Sequence, residues 1–483
     1  MSDHPARSGL ARVVVNIGLI AGSNLFGRVM NLVLHAALGR AFGPEGLGGY
    51  ATAVALAAYF IFAVDFGVSP RIVREGAVDP EGLEREYAEA LGIKIALGGL
   101  ACLAIGLLSL VLPYEPWVVR LCLLLAASSI LRSFSYLNQS VCRAKERLGL
   151  EGAGNVLSAV VFVGLSLAFL RLDLPVESVG WASIAAASVQ LATTQVFTAR
   201  FIRIGIAFPP RFEMVKRALP YATTSLSLLA FAQIDVLILS FVEEAEFVGR
   251  YAAISRLLLI AGTLASLSTA AILPTAARLY GQSDAQRFDE LTNGAIRVVL
   301  SIGVGAAVGT VLVARPLIVG VYGQGFADLH PFLEAGAAFL VFKFAVSILA
   351  MVLTSRGRQG DRARSVLIGL AATVVLVPIL SDLFGLAGAV GALVGSEAVL
   401  VSCLAAYLSS NIQWARLFRT LICSGFAGGA AIYTWSLLRA DHSLEGTLLS
   451  LAAPACVFLA GLILTGEGLR VGRFVLQLRR GGT

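Results

Sequence analysis

Long apolar segments alternate with short polar ones along the whole chain. A helix that crosses a lipid bilayer needs about 20 mostly apolar residues, and runs of that kind recur fourteen times. The pattern predicts about fourteen membrane-spanning helices, and only a very tight turn separates the pair around residues 364–408. Twelve spans are the alternative, because they would also give an even number of crossings. The runs cover residues 15–38, 47–69, 89–111, 117–139, 152–170, 178–199, 218–241, 248–273, 295–320, 331–353, 364–381, 385–408, 417–437 and 447–465. The predicted fold class is therefore an all-α polytopic membrane protein.

Composition supports this prediction. The chain is 57% hydrophobic and 14% charged, and its mean hydropathy is +0.83. Soluble domains average about 45–50% apolar and about 25% charged residues. The net charge of +7 could suggest nucleic-acid binding, but the charges lie in short clusters between apolar runs, so we expect no nucleic-acid partner. The six cysteines form no C-x-x-C pair, and we predict no metal site and no cofactor.

Lysine and arginine concentrate in alternate loops, which predicts the orientation. The rule that positive loops stay inside places these loops and both termini in the cytoplasm. The opposite loops hold about one arginine each and several acids, including Glu243, Glu244 and Glu246. The basic positions are Arg71, Arg74, Arg85, Arg143, Lys145, Arg147, Arg200, Arg203, Arg211, Lys216, Arg217, Arg356, Arg358, Arg362, Arg364, Arg470, Arg473, Arg479 and Arg480.

A weak internal repeat divides the chain. Gly48 recurs as Gly249 at a shift of 201 positions, and Gly180 recurs as Gly388 at a shift of 208. The segment "AKER" lies over "SRGR" at a shift of 211. We therefore predict two pseudo-symmetric six-helix lobes, residues 1–205 and 206–414, related by an axis along the membrane normal. Residues 415–483 would add two further helices and a basic cytoplasmic tail.

The first apolar run carries a polar stripe. Asn24, Arg28, Asn31 and His35 follow the spacing i, i+4, i+7 and i+11, which places them on one face of a helix. We predict that they line a central cavity that binds substrate. Alternatively, a lone arginine could snorkel or form a structural ion pair, and His35 could be a satisfied polar residue near the outer end.

Three more cations lie within predicted spans: Arg132, Arg256 and Lys343. A cation at mid-membrane costs about 2.5–3.5 kcal/mol on insertion scales, so it should face water or a partner. The cations outnumber the deep acids Asp235 and Glu397, which predicts a cavity for an anion. Arginine suits phosphate because its planar fork binds oxygens in pairs. Either acid could instead pair with an arginine or couple transport to a proton or cation.

Several motifs are absent from the sequence. It contains no G-K-[ST] phosphate-binding loop, no H-E-x-x-H, and no Ser or Thr beside a histidine in a triad-like pattern. No loop exceeds about 25 residues, which leaves no room for a soluble catalytic domain. We therefore predict that ATP does not power this chain, and we name no catalytic residues; a membrane-embedded enzyme stays an alternative.

Several segments resemble a known family. They are the "LGRAFGPEGLGGY" turn, "DFGV" with the "RE" that follows, "QIDVLIL", "VGRYAAISRL", "LPTAARL" and "GLAGAVGALVGSE". Over most of residues 12–420 the chain resembles the polysaccharide (O-antigen type) flippases of the multidrug, oligosaccharidyl-lipid and polysaccharide exporter superfamily. The resemblance implies a fourteen-helix transporter with two lobes and a central cavity.

The same resemblance implies a function. Such proteins move undecaprenyl-pyrophosphate-linked sugars across the bacterial inner membrane by alternating access, for lipopolysaccharide or exopolysaccharide synthesis. The related lipid II flippase holds pyrophosphate with cavity arginines on its first and eighth helices, and Arg28 and Arg256 occupy comparable places. The implied partners are the polyprenyl-pyrophosphate oligosaccharide, membrane lipids, and a polysaccharide polymerase or export machinery. The alternatives are a cation-coupled multidrug exporter, a membrane-embedded glycan polymerase or ligase, and a scaffold that transports nothing.

Overall fold

The computed structural model describes residues 4–207, 212–270, 272–282, 284–408, 414–438 and 452–464. Within these ranges every regular element is a helix, so the predicted all-α fold class is confirmed. Arg211 and the predicted basic tail beyond residue 464 lie outside the described residues.

Fifteen α-helices are numbered here in chain order over those ranges. They are α1 His4–Asp65, α2 Val68–Val78, α3 Leu83–Leu108, α4 Pro116–Ala144, α5 Leu148–Arg171, α6 Ser178–Thr198, α7 Phe212–Val242, α8 Ala245–Ala270, α9 Leu273–Gly281, α10 Ala285–Tyr322, α11 His330–Gly336, α12 Ala338–Ser355, α13 Gln359–Leu408, α14 Trp414–Leu438 and α15 Ala452–Leu464. A short 3-10 helix, Gln324–Leu329, precedes α11.

Helices α1 and α13 each contain two of the predicted apolar runs. They have 62 and 50 residues, and each is interrupted by a glycine in the left-handed region, Gly43 at φ 67° and Gly385 at φ 58°. Glycine adopts this conformation without a steric penalty, so the chain can change direction there. In the described ranges, eight helical segments are long and apolar enough to cross a membrane, judged by length and composition. The choice between twelve and fourteen spans stays a prediction.

The chain forms two compact units, Met1–Gly249 and Arg250–Thr483. In the first unit α4 packs on α1 and α6, and α7 packs on α1, α2 and α3. In the second unit α10 packs on α12 and α14, and α14 packs on α15. The predicted lobes 1–205 and 206–414, with the extra segment 415–483, stay a prediction.

The glycines of the repeat meet each other inside the first unit. A β-carbon on Gly48 would overlap the carbonyl oxygen of Ala245 and come within 2.8 Å of the Gly249 nitrogen. A β-carbon on Gly249 would overlap the carbonyl oxygen of Pro44 and come within 2.8 Å of the Gly48 nitrogen. Both glycines, and Pro44 with Ala245, are related by the same shift of 201 positions. The repeated glycine therefore serves a reciprocal helix crossing in which the two backbones touch.

We expect Gly48→Ala to destabilise the protein. The added methyl group has no space beside a backbone carbonyl, so the two segments must separate. Overpacking of this kind lowers the free energy of unfolding by about 1–3 kcal/mol, which thermal unfolding of the purified protein in detergent would detect. Gly164→Ala in α5 is the matched control, because a β-carbon there meets nothing within 4 Å. Equal melting temperatures for the two variants would contradict the crossing.

Candidate functional site

The predicted polar stripe runs along α1 from exposed to buried positions. Asn24 and Arg28 are exposed, whereas Asn31 is half-buried and donates its side-chain amide to a backbone carbonyl one turn earlier at 3.0 Å. His35 is buried, and its ring lies edge-on to that of Tyr50, with 5.3 Å between the centroids. His35 therefore packs in the interior of the first unit, and the accessible part of the stripe is Asn24 and Arg28.

Two more predicted site residues belong to the first unit. The guanidinium of Arg132, on α4, lies over the ring of Phe162, on α5, at 5.9 Å from the centroid. This is the geometry of a cation–π interaction. Asp235, on α7, is 8% exposed, and its carboxylate is close enough to the hydroxyl of Tyr59 for an electrostatic interaction. Arg132 thus contacts an aromatic ring of a neighbouring helix, and Asp235 lies near a tyrosine of another.

The sequence prediction missed a buried charge network in the first unit. The ammonium of Lys94 is completely buried and lies 2.5 Å from the Asp65 carboxylate. It also donates to the Ser133 carbonyl at 2.6 Å, the Ser133 hydroxyl at 3.0 Å and the Ser69 hydroxyl at 3.2 Å. Ser69 in turn donates to Asp65. The available signal was a single lysine inside the apolar run 89–111.

This network joins four helices. Asp65 ends α1, Ser69 lies in α2, Lys94 in α3 and Ser133 in α4. An ammonium group has three donors, and the oxygens around Lys94 occupy all of them. Loss of one partner would leave an unpaired charge in the interior, which costs about 3–5 kcal/mol. The network therefore fixes how these four helices pack.

In the second unit the structure brings together two predicted residues, Lys343 and Glu397. The Lys343 ammonium, on α12, lies 2.6 Å from the carboxylate of Glu397, on α13. It also lies over the ring of Phe339 at 5.5 Å. The Glu397 side chain is only 3% exposed. The charge of Lys343 is therefore balanced inside its own unit.

Arg256, on α8, is placed differently. It is half-buried, and its Nε atom is buried with no hydrogen-bond partner in the part of the chain that the structure describes. The hydroxyl of Tyr322, at the end of α10, is also buried there without a partner, and it lies close enough for an electrostatic interaction with Arg256. A buried donor without an acceptor costs about 1–3 kcal/mol. Two such donors near each other would be satisfied by a ligand rich in acceptor oxygens.

Other cations near the helix ends form ion pairs inside the protein. Arg71 lies 2.7 Å from Glu86, and both side chains are largely buried. Arg143 holds Glu151 through two bonds of 2.8 Å and 2.6 Å. These bonds link α2 to α3 and α4 to α5 at the ends predicted to be cytoplasmic. In the described ranges no group of three or more His, Cys, Asp or Glu side chains could hold a metal ion.

The fold and the site together define a class of protein. It is a polytopic helical membrane protein with two compact units. Each unit contains a largely buried ion pair, Lys94 with Asp65 in the first and Lys343 with Glu397 in the second.

Comparison with known proteins identifies the family. The chain matches the model of the family described as "Polysaccharide biosynthesis protein" over residues 13–280, and it belongs to that family. This confirms the resemblance seen in the sequence. A search of characterised protein sequences found no significant match.

Solved structures share the fold. The lipid II flippase MurJ, in an inward closed conformation, aligns with a TM-score of 0.76 at 14% identity, over 93% of this chain and 99% of that one. An inward-facing multidrug resistance MATE family transporter of the MOP superfamily gives 0.64 at 17% identity, over 81% and 96%. A MOP superfamily transporter from Pyrococcus furiosus gives 0.59 at 18% identity, over 85% and 96%. The chain therefore has the fold of these transporters.

We expect Lys94→Met to lower the free energy of unfolding by about 3–5 kcal/mol, because it leaves the largely buried Asp65 carboxylate without its counter-ion. The double variant Lys94→Met with Asp65→Asn should recover much of this loss, since it removes both charges. Thermal unfolding of the two single variants and the double variant in detergent measures the coupling. Lys216→Met, at an exposed lysine of α7, is the control. Additive losses in the double variant would contradict a direct Lys94–Asp65 interaction.

Proposed function

We propose that the protein is a flippase that moves an undecaprenyl-pyrophosphate-linked oligosaccharide across the bacterial inner membrane for cell-surface polysaccharide synthesis. Family membership in polysaccharide biosynthesis and the transporter fold support this reading. The observation that carries it is the buried Nε of Arg256, which has no hydrogen-bond partner in the described part of its unit.

Pyrophosphate matches the chemistry of this position. Its oxygens accept hydrogen bonds and carry negative charge, and a guanidinium can bind two of them at once. The Tyr322 hydroxyl offers a further donor near Arg256. We assign two other cations to the anion: Arg28, exposed on α1, and Arg132, half-buried on α4. The polar residues that we assign to the same substrate site lie beside Arg28 on α1; they are Asn24, Asn31 and His35. Lys343 would take part only when its bond to Glu397 opens.

The proposed mechanism is alternating access without ATP. The cations hold the pyrophosphate while the two lobes change their exposure to the two sides of the membrane, and the lipid tail stays in the bilayer. Asp235 and Glu397 are the proposed ion-coupling residues, because both are buried carboxylates inside a membrane fold. Membrane lipids, and a polysaccharide polymerase or export machinery, are the proposed partners. We place both termini in the cytoplasm.

A cation-coupled multidrug exporter is the second candidate. The fold shared with MATE family transporters and the buried Asp235 favour it. Such an exporter should depend on its buried acids more than on its arginines. The membership in a polysaccharide biosynthesis family favours the flippase.

We expect Arg256→Ala and Arg28→Ala to abolish surface glycan in a strain that depends on this protein, at normal protein levels in the membrane. Each variant removes a charged donor, which weakens anion binding about 10-fold to 100-fold. Arg256→Lys and Arg28→Lys separate plain charge from paired hydrogen bonding, and partial activity is expected. Surface glycan measured by gel and lectin staining is the readout.

The control for these variants is Arg364→Ala, at an arginine whose side chain is 72% exposed. It should leave surface glycan unchanged. Wild-type glycan in both alanine variants would refute the proposed pyrophosphate site.

A further inference from the structure

A cavity of about 500 Å³ lies within the first unit, on the side that the loop charges predict to be external. It is formed by the segment of α1 after Gly43, the loop before α4, the end of α7 and the start of α8. Its lining contains no lysine or arginine. Five carboxylates surround it: Glu45, Glu115, Glu243, Glu244 and Glu246.

Two aromatic side chains form part of the wall. The Trp117 indole donates to the Glu115 carboxylate at 2.8 Å, and its ring fills the space where a β-carbon of Gly49 would be. The Tyr114 hydroxyl lies 2.8 Å from the Ser240 hydroxyl, which itself donates to a backbone carbonyl at 2.7 Å. Tyr114 must therefore be the donor to Ser240, which leaves its oxygen lone pair free to accept. Burial raises the pKa of Tyr114, so it stays a neutral phenol.

A threonine points to a ligand independently of the carboxylates. Thr52 is 3% exposed and lines the cavity, and its hydroxyl makes no hydrogen bond to another group in the part of the chain that the structure describes. A helical threonine ordinarily donates to the carbonyl three or four residues earlier. Because Thr52 does not, a polar group is left facing the cavity, ready to bond a bound molecule.

The charge of the cavity selects its ligand. Carboxylates repel an anion such as pyrophosphate, and they attract a cation. The ring of Trp117, and the face of Tyr114 that does not stack on Phe241, also favour a cation, especially an organic ammonium group. A metal ion needs several carboxylates at close range, and in the described residues no acidic group has that arrangement. The volume of about 500 Å³ is suited to a small organic molecule.

We propose that this cavity binds an organic ammonium group, either on an amino sugar or on the head group of a lipid. The carboxylates supply charge, Trp117 and Tyr114 cover the cation, and the Thr52 hydroxyl bonds a neighbouring polar atom. The proposal does not rest on the flippase function, because it concerns binding at a site separate from Arg256.

The test is calorimetric titration of the full-length purified protein in lipid nanodiscs. The probes are glucosamine, choline and the neutral N-acetylglucosamine. We expect glucosamine or choline to bind, and the double variant Glu243→Gln with Glu244→Gln to weaken binding about tenfold. Glu115→Gln is a second variant that retains an acceptor for Trp117, so it tests charge without disturbing the wall. Glu81→Gln, at an exposed carboxylate in another loop, is the control and should bind as the wild type does.

The outcomes separate the sources of the ammonium group. Binding of glucosamine alone assigns an amino sugar, binding of choline alone assigns a lipid head group, and binding of both shows that the cavity recognises ammonium in general. Thr52→Val should weaken whichever probe binds while leaving thermal stability unchanged. Equal binding of N-acetylglucosamine and glucosamine, or binding of no probe, would overturn the proposal. Surface glycan can be lost in the Arg256 variants with this binding intact, so the two proposals fail separately.

Discussion

A charge buried in a helical membrane protein must have a partner, and this constraint organises the packing of both units. Lipid offers no water to a buried ammonium or carboxylate, so an unpaired charge of either kind would destabilise the fold by about 3–5 kcal/mol. In the first unit Lys94 therefore meets Asp65 and two serines, which ties α1, α2, α3 and α4 together. In the second unit Lys343 meets Glu397 and ties α12 to α13. Each pair fixes the position of helices that apolar contacts alone would leave free to slide.

Against this background the guanidinium of Arg256 stands apart. It is half-buried like Lys343, yet its Nε has no hydrogen-bond partner in the described residues, and the nearby Tyr322 hydroxyl has none either. Lys94 and Lys343 each meet a carboxylate, whereas the Nε of Arg256 and the Tyr322 hydroxyl lie near each other without acceptors in the described residues. Unsatisfied donors are a cost in the free protein that an anionic ligand can remove, which makes binding more favourable. The proposed function depends on this contrast between the two lysines and Arg256.

The sequence predicted the helical fold because apolar runs of fixed length are a local property. The break at Gly43 falls between two predicted runs, and the break at Gly385 falls at the first residue of the run 385–408; glycine tolerates the backbone conformation at both positions. Pairing is not local. Lys343 and Glu397 were both recognised as candidates, but they are 54 positions apart and their bond depends on how α12 packs on α13. Lys94 was missed because a single lysine in an apolar run is indistinguishable from a snorkelling residue until its partners, 29 and 39 positions away, are located.

The repeat shows how one architecture can carry two electrostatic roles. Gly48 and Gly249 make the same backbone contact with each other's segment, so the duplicated motif is retained for packing. Seven residues further along, the copies differ: Ala55 is fully buried, whereas its counterpart Arg256 holds a charge. Ala55 packs in the apolar interior of the first unit. Arg256 has a buried Nε that finds no acceptor in the described residues. The first unit instead places its charge in the Lys94 network and in the carboxylates around the cavity. The two copies of the motif thus share a backbone contact and differ in charge, and the two proposed binding regions, one for an anion and one for a cation, depend on that difference.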